Sequence, residues 1–177
     1  MSGFTLPTPH DHANEYLMVL LTELTNREVF NACTLVHDDD FGTNWQARTI
    51  FHAIEAVARD GIDAGHPNAA LTINDVGAHL LDQGKLTNDA FHTYWLSLVA
   101  PATAPRPLGK HRVKHLAYRI AEDHFRTRHA EIYGRDDSHV LPLEEITTQM
   151  DADRKELLGI FARVRPAALS VVKEKTA

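Results

Sequence analysis

Residues 37–54 read HDDDFGTNWQARTIFHAI, and the role of this stretch decides which kind of helical protein the chain forms. Its first half places three aspartates beside His37, as the site of a hard metal cation with a bound water would require. Its second half places Ile50 and Ile54 four residues apart, which is the spacing of an amphipathic helix. Aspartates also stabilise the positive amino-terminal end of a helix. The stretch is therefore either a metal site or a structural connection between two packed helices.

The composition restricts the class of protein. A chain of 177 residues with 44% hydrophobic and 24% charged residues suffices for one packed domain, or for one domain with an appendage. The formal net charge of -6 argues against a dedicated nucleic-acid binder, which normally has a basic face. The single Cys33 excludes an intramolecular disulfide and fits a reducing compartment. No secretory signal pattern opens the chain, and no apolar run approaches the ~20 residues that span a bilayer. These features predict a cytoplasmic protein.

Charge and proline divide the chain near residue 107. Residues 1–107 contain 5 Lys/Arg against 13 Asp/Glu, whereas residues 108–177 contain 13 against 11. Residues 101–107 read PATAPRP, and prolines cannot continue a helix. We therefore expect a disordered tail over 1–13, a globular helical subdomain over 14–107, a helical hairpin over 108–165 and a tail or linker over 166–177.

Five short helices are predicted before this connector, and glycine and capping residues mark the ends of the first three. The first helix covers about 14–24. The second is expected to start at an Asn26 cap, because an asparagine side chain can accept a hydrogen bond from the first free backbone amides. The third covers about 44–60 and is expected to end at Gly61, since glycine accepts the left-handed conformation that often follows a helix.

The fourth and fifth predicted helices also follow hydroxyl residues. Thr72 precedes Asp75 by three residues, which predicts a capping-box-like start, and Thr87 is expected to cap the fifth helix. The core residues predicted for this part of the chain are Phe41, Trp45, Ile50, Ile54, Leu80, Trp95 and Leu98.

Two longer helices are predicted after the connector. Residues 109–133 form one of them, GRDDSH at 134–139 is a turn, and apolar residues recur near heptad spacing from Leu143. No strand pattern competes anywhere, so the predicted fold is all-α, a compact bundle of about five short helices followed by a long helical hairpin. Each hairpin helix is too narrow to hide its apolar stripe, so we expect a homodimer through the hairpin. The residues predicted to mediate self-association are Leu116, Ile120, Leu143, Ile146, Met150, Leu157 and Phe161.

Known catalytic and cofactor motifs are incomplete in this chain. A P-loop is excluded, because Gly84 and Lys85 are followed by Leu86 where a serine or threonine is needed. The HRVKH segment at 111–115 has the spacing of a zinc pair but lacks the glutamate of H-E-x-x-H. The His-Asp dipeptides at 10–11 and 37–38 leave one alternative open, a helical metal-dependent hydrolase that uses His and Asp residues. We predict no catalytic residue, cofactor or metal.

A DNA-reading helix-turn-helix is also disfavoured. The segment from 70 to 87 carries Lys85 as its only basic residue, against Asp75, Asp82 and the nearby Asp89. A recognition helix of this charge would be repelled by phosphates, so no direct DNA binding is expected.

The order of several segments resembles the amino-terminal domain of DnaB-type replicative DNA helicases. These segments are DDDFGTNWQARTIFHAI at 38–54, LTINDVGAHLLDQGKL at 71–86, YWLSLV at 94–99 and the proline connector. The resemblance covers roughly 16–164, and the first helix departs from it by lacking the acidic-Gln start of that family. The positions that match are Asp40, Phe41, Ile50, Phe51, Leu80, Gly84, Leu86, Tyr94, Leu96 and Leu98.

The resemblance implies a non-catalytic module. In replicative helicases this domain forms the amino-terminal collar of a hexameric ring, its hairpins pair between neighbours, and the collar is implicated in docking primase and helicase loaders. Phe41 would fill the core while residues 38–40 flank the next helix, so the acidic stretch would be structural. The ATPase motor is a separate domain of that family and is not contained in these 177 residues. The chain would be either a piece of such a helicase or a free-standing relative, for example in a phage or mobile element.

Overall fold

The computed structural model describes residues 9–100, 109–134 and 143–174, with side chains described over 12–100, 109–134 and 144–164. Within these ranges the chain forms α-helices joined by turns and short 3-10 helices, and it forms no β-strand. The predicted all-α class is confirmed. The helices are α1 (Pro9–Thr22), α2 (Asn26–Cys33), α3 (Trp45–Asp63), α4 (Ile73–Asp82), α5 (Asp89–Val99), α6 (Val113–Tyr133) and α7 (Leu143–Glu174).

The chain divides into two compact units, Met1–Ala117 and Tyr118–Ala177. The first unit contains α1 to α5 and the first turn of α6, and the second contains the rest of α6 together with α7. The predicted boundary at residue 107, within the proline connector, lies outside the described residues. Among the described helices, none is both long and apolar enough to cross a membrane.

The first unit has a core of apolar side chains from helices that are distant in sequence. Six of the seven predicted core residues are buried there, namely Phe41, Ile50, Ile54, Leu80, Trp95 and Leu98. The seventh predicted core residue, Trp45, is not buried, since 43% of it is exposed. It occupies the first position of α3, where the helix reaches the surface, and one face of its ring stacks on Phe91 with centroids 5.7 Å apart. Trp45 therefore covers the edge of the core instead of filling it.

The amino-terminal helix is longer than predicted. α1 begins at Pro9 and so includes residues 9–13 of the predicted tail, and both His12 and Ala13 are buried. Proline is tolerated in the first turn of a helix, because the amide it lacks would have no partner there. The burial of the following residues provides the packing that keeps this turn helical.

The start of α2 differs from the prediction in its capping residue. Thr25, and not Asn26, is the cap, and it forms a capping box in which Glu28 Oε2 accepts a hydrogen bond from Thr25 N at 3.0 Å. Asn26 is buried and its side chain donates to the carbonyl oxygen of His66 at 3.0 Å. The asparagine therefore holds the turn after α3 instead of the end of its own helix.

Gly61 does not end α3, which continues to Asp63. A Cβ atom at Gly61 would lie 2.2 Å from Asn26 Nδ2, so this position needs a residue without a side chain for α2 and α3 to pack closely. The left-handed glycine that the prediction placed here is Gly65, with φ +85°. The prediction that Gly61 ends α3 is therefore wrong, and the reason for a glycine at this position is the packing of α3 against α2.

The caps of α4 and α5 follow the prediction at one of two positions. Thr72 caps α4 and accepts a hydrogen bond from Asp75 N at 3.2 Å, as predicted. The cap of α5 is Asn88, whose Oδ1 accepts from Phe91 N at 3.0 Å, and not Thr87. The Thr87 hydroxyl instead donates to Gly84 O at 2.6 Å within a 3-10 turn.

In the second unit α6 and α7 contact each other at two points along their length. Arg128 forms two hydrogen bonds with Glu156, the shorter from Nε to Oε1 at 2.5 Å, and Phe125 and Phe161 have ring centroids 5.8 Å apart. As residue numbers rise along α6 the contacting numbers fall along α7, which is the pattern of antiparallel helices. α7 also continues through residues 166–174, which were predicted as a tail or linker.

Candidate functional site

The acidic stretch at 38–40 forms a 3-10 turn that ends at Phe41. Asp40 is only 6% exposed, and its Oδ2 accepts a hydrogen bond from His37 N at 2.9 Å. The backbone amide of Asp40 in turn donates to His37 O at 3.0 Å. Because the buried carboxylate completes the turn, this aspartate has a structural role that its sequence neighbours do not share.

Phe41 is the residue that this turn positions. It is 4% exposed and its ring lies 5.1 Å from that of Phe51 on α3. The next residue, Gly42, has φ +52°, a left-handed conformation that glycine adopts at little cost. The turn therefore places the Phe41 ring in the core, and it connects the end of the acidic stretch to the start of α3.

The remaining acidic residues of the stretch face solvent. Asp38 Oδ2 lies 3.0 Å from His52 Nε2, and both side chains are about half exposed, while Asp39 is exposed. Within the described ranges, no three His, Cys, Asp or Glu residues are grouped in a way that could hold a metal ion. The side chains of the earlier pair, His10 and Asp11, lie outside the described residues.

Two further candidates from the sequence are placed clearly. His111 and His115 of the HRVKH segment are exposed. Cys33 is buried, and burial, followed by the nearby Glu55 carboxylate, raises the pKa of its thiol to about 12. A thiol with so high a pKa is almost entirely protonated near neutral pH and is a poor nucleophile.

A polar cluster that the sequence did not reveal joins three helices of the first unit. The Tyr94 hydroxyl donates to Asn14 Oδ1 on α1, and Asn44 Nδ2 donates to the Tyr94 hydroxyl at 3.3 Å. Asn44 also caps α3 by accepting from Ala47 N at 3.0 Å. Burial raises the pKa of Tyr94. Only the Asn44 cap could have been found from local sequence, because the other contacts join residues 50 and 80 positions apart.

Glu28 connects the capping box of α2 to the residues that precede α6. Its Oε1 accepts a hydrogen bond from Lys110 Nζ at 3.0 Å. The backbone amide of Thr25, followed by Lys110, lowers the pKa of this carboxyl. A second ion pair, Arg112 with Glu15 at 3.8 Å, lies in the same part of the first unit. These contacts fix the start of α6 without forming a reactive site.

The residues predicted to mediate self-association fall into three groups. Leu116 and Ile120 are only 1% and 2% exposed, so the prediction that they lie in an interface between copies is wrong. They lie on the packed face of α6, which a helical wheel cannot distinguish from an exposed apolar face. Ile146 and Leu157 are half-buried, and the side chain of Leu143 lies outside the described residues.

The third group is exposed. Met150 is 66% exposed and Phe161 is 44% exposed. Leu158, which lies between them in sequence and is not among the seven predicted residues, is 56% exposed. Three large apolar side chains within three turns of one helix form a concentration of exposed apolar surface, which in soluble proteins often marks a contact site. α7 is therefore the part of the described chain that best fits an interaction surface.

Comparison with known proteins supplies no further assignment. No protein-family model matches the chain, and no curated protein and no solved structure matches it.

Proposed function

We propose that this chain is a non-catalytic assembly module of the kind that forms the amino-terminal collar of DnaB-type replicative helicases. Its role would be to associate with copies of itself and to dock a primase or a helicase loader during DNA replication. The observation that carries this proposal is the exposed apolar surface of α7, formed by Met150, Leu158 and Phe161. Such a surface on a helical protein favours binding to another protein over chemistry on a small substrate.

The resemblance to the helicase collar domain supports the specific role. Among the matching positions, Asp40, Phe41, Ile50, Phe51, Leu80 and Leu98 are buried. Tyr94 is partly buried and joins α1 and α3 to α5. These side chains would have structural roles in the collar, and the acidic stretch that could have held a metal forms a turn around Asp40 and Phe41.

Isothermal titration calorimetry with the full chain tests the docking role. The purified protein would be titrated into the primase and, separately, into the helicase loader of the same organism. We expect saturable binding to at least one of them, weakened by Met150→Glu. The matched control is Leu96→Glu, because Leu96 is similarly exposed at 52% but lies on α5 of the first unit. No binding to either protein, or equal weakening by both variants, would contradict the docking role.

A further inference from the structure

α7 has two faces of different character over 150–160. Asp153 and Ile160, seven residues apart, are buried and mark its packed side. Met150, Arg154 and Leu158 follow each other at intervals of four, and Asp151 lies one heptad before Leu158, so these four residues share another side. All four are exposed. We refer to Met150, Asp151, Arg154 and Leu158 as the outward face of α7.

The charges of this face differ from those elsewhere in the second unit. On α6, Glu122 accepts hydrogen bonds from both Arg119 and Arg126, at 2.8 and 2.6 Å. Arg128 is similarly paired with Glu131 and Glu156. By contrast, Asp151 and Arg154 make no hydrogen bond or ion pair with any residue that the structure describes. One negative and one positive side chain are thus left exposed, beside Met150 and Leu158.

We propose that the outward face of α7 binds the same face of a second copy, with the two α7 helices antiparallel about a two-fold axis that passes between residues 152 and 153. This inference rests on the self-association proposed above and specifies its residues. In this arrangement Asp151 of each copy faces Arg154 of the other, because residues equally far on either side of a two-fold axis meet in an antiparallel pair. The interface would contain this ion pair twice.

The charge pattern favours a second copy over an unrelated partner. A two-fold interface must be complementary to itself, so that residue i contacts residue j and residue j contacts residue i. Asp151 and Arg154 satisfy this condition, because their charges are opposite and each residue faces the other one in the second copy. Met150 and Leu158 flank the charges and would exclude water from them on association, which strengthens the attraction between the opposite charges.

Charge reversal in the full chain tests the pairing directly, with sedimentation equilibrium as the measurement. Asp151→Arg alone places two positive charges at each contact, and Arg154→Asp alone places two negative charges there. We expect each single variant to raise the dimer dissociation constant by about tenfold or more, because juxtaposed like charges are strongly unfavourable. The double variant restores opposite charges and should recover the dissociation constant of the unmodified chain.

A mixture of the two single variants provides a second readout. Each contact between an Asp151→Arg chain and an Arg154→Asp chain again joins opposite charges, so the mixture should form heterodimers although neither variant dimerises well alone. The matched control is Asp39→Arg, which reverses an exposed aspartate of the first unit and should leave the dissociation constant unchanged.

The outcomes separate this inference from the proposal on which it rests. If the unmodified chain is monomeric, self-association itself is wrong. If it dimerises but the single variants dimerise equally well, or the double variant and the mixture fail to recover the dimer, self-association stands and the Asp151–Arg154 pairing is wrong. Weakening by the single variants with recovery in both other samples supports the pairing.

Discussion

Phe41 and the three aspartates before it show how differently neighbouring side chains contribute to one turn. The ring of Phe41 is buried against Phe51, Asp40 is buried and completes the turn, and Asp39 faces solvent. The stretch is polar in sequence, but its contribution to stability should come mainly from the aromatic ring and the one buried carboxylate.

We predict that Phe41→Ala lowers the free energy of unfolding by about 3 to 5 kcal/mol, the usual cost of deleting a core aromatic. Asp39→Ala should lower it by less than about 1 kcal/mol, because the side chain is an exposed charge near a helical turn. Chemical denaturation of the full chain and both variants measures the difference. A larger loss for Asp39→Ala than for Phe41→Ala would show that the acidic run determines the stability of this segment.

Glu28 gives a second prediction, which concerns pH. Its pKa is lowered in the folded chain, so its contribution to stability is fully present above the ordinary glutamate pKa and is lost as the pH falls from that value through the lowered pKa of the folded chain. Glu28→Gln should therefore be less stable than the unmodified chain at pH 7, and the difference should shrink towards pH 3. Glu144→Gln is the control, since this glutamate is exposed in the first turn of α7. An equal difference at pH 7 and pH 3 would contradict the assignment.

The sequence predicted the kind of each helix boundary better than its exact residue. Thr72 was identified as a cap because its hydrogen bond is local, whereas Thr25 and Asn88 were missed in favour of adjacent residues with similar capping ability. Gly61 was misread because the atom that constrains it belongs to Asn26, 35 positions earlier. Local sequence patterns indicate capping and periodicity, but they do not indicate contacts between residues that are 35 positions apart.

Glycines in two helices provide a matched test of the packing between α2 and α3. Gly61→Ala should destabilise the chain by about 1 to 3 kcal/mol, because the new methyl group would overlap Asn26. Gly159→Ala makes the same change in α7, where nothing lies within 4 Å of the new Cβ atom, and should stabilise by about 0.5 to 1 kcal/mol. Thermal or chemical unfolding compares them, and a stabilising Gly61→Ala would contradict the close approach of the helices.

For the molecule as a whole, the sequence predicted the helical class and most of the core but not the exposed surface. Ile54, Leu80 and Leu98 were placed correctly because apolar periodicity reports burial. The same periodicity assigned Leu116 and Ile120 to an interface, although they are buried, and Trp45 to the core, although it is exposed. Hydrophobicity indicates that a residue avoids water, whereas tertiary packing decides whether the same chain or another one covers it.

The metal-dependent hydrolase alternative leads to a separate prediction. The purified chain should carry no stoichiometric zinc, manganese or iron and should show no ATPase activity. The reasons are that Asp40 is occupied in a turn and that the chain lacks a P-loop. Elemental analysis by mass spectrometry measures the metal content. One tightly bound ion per chain, lost in His37→Ala and Asp38→Ala variants, would favour the hydrolase.

Self-association through α7 is the central claim, and sedimentation equilibrium of the intact chain tests it most directly. We expect a concentration-dependent dimer of the unmodified protein at tens of micromolar, and a shift towards monomer in Met150→Glu, because association would then have to remove a charged side chain from water in place of an apolar one. Leu96→Glu should sediment as the unmodified chain does. A chain that remains monomeric throughout this range, or a dimer that Met150→Glu leaves intact, would contradict the account.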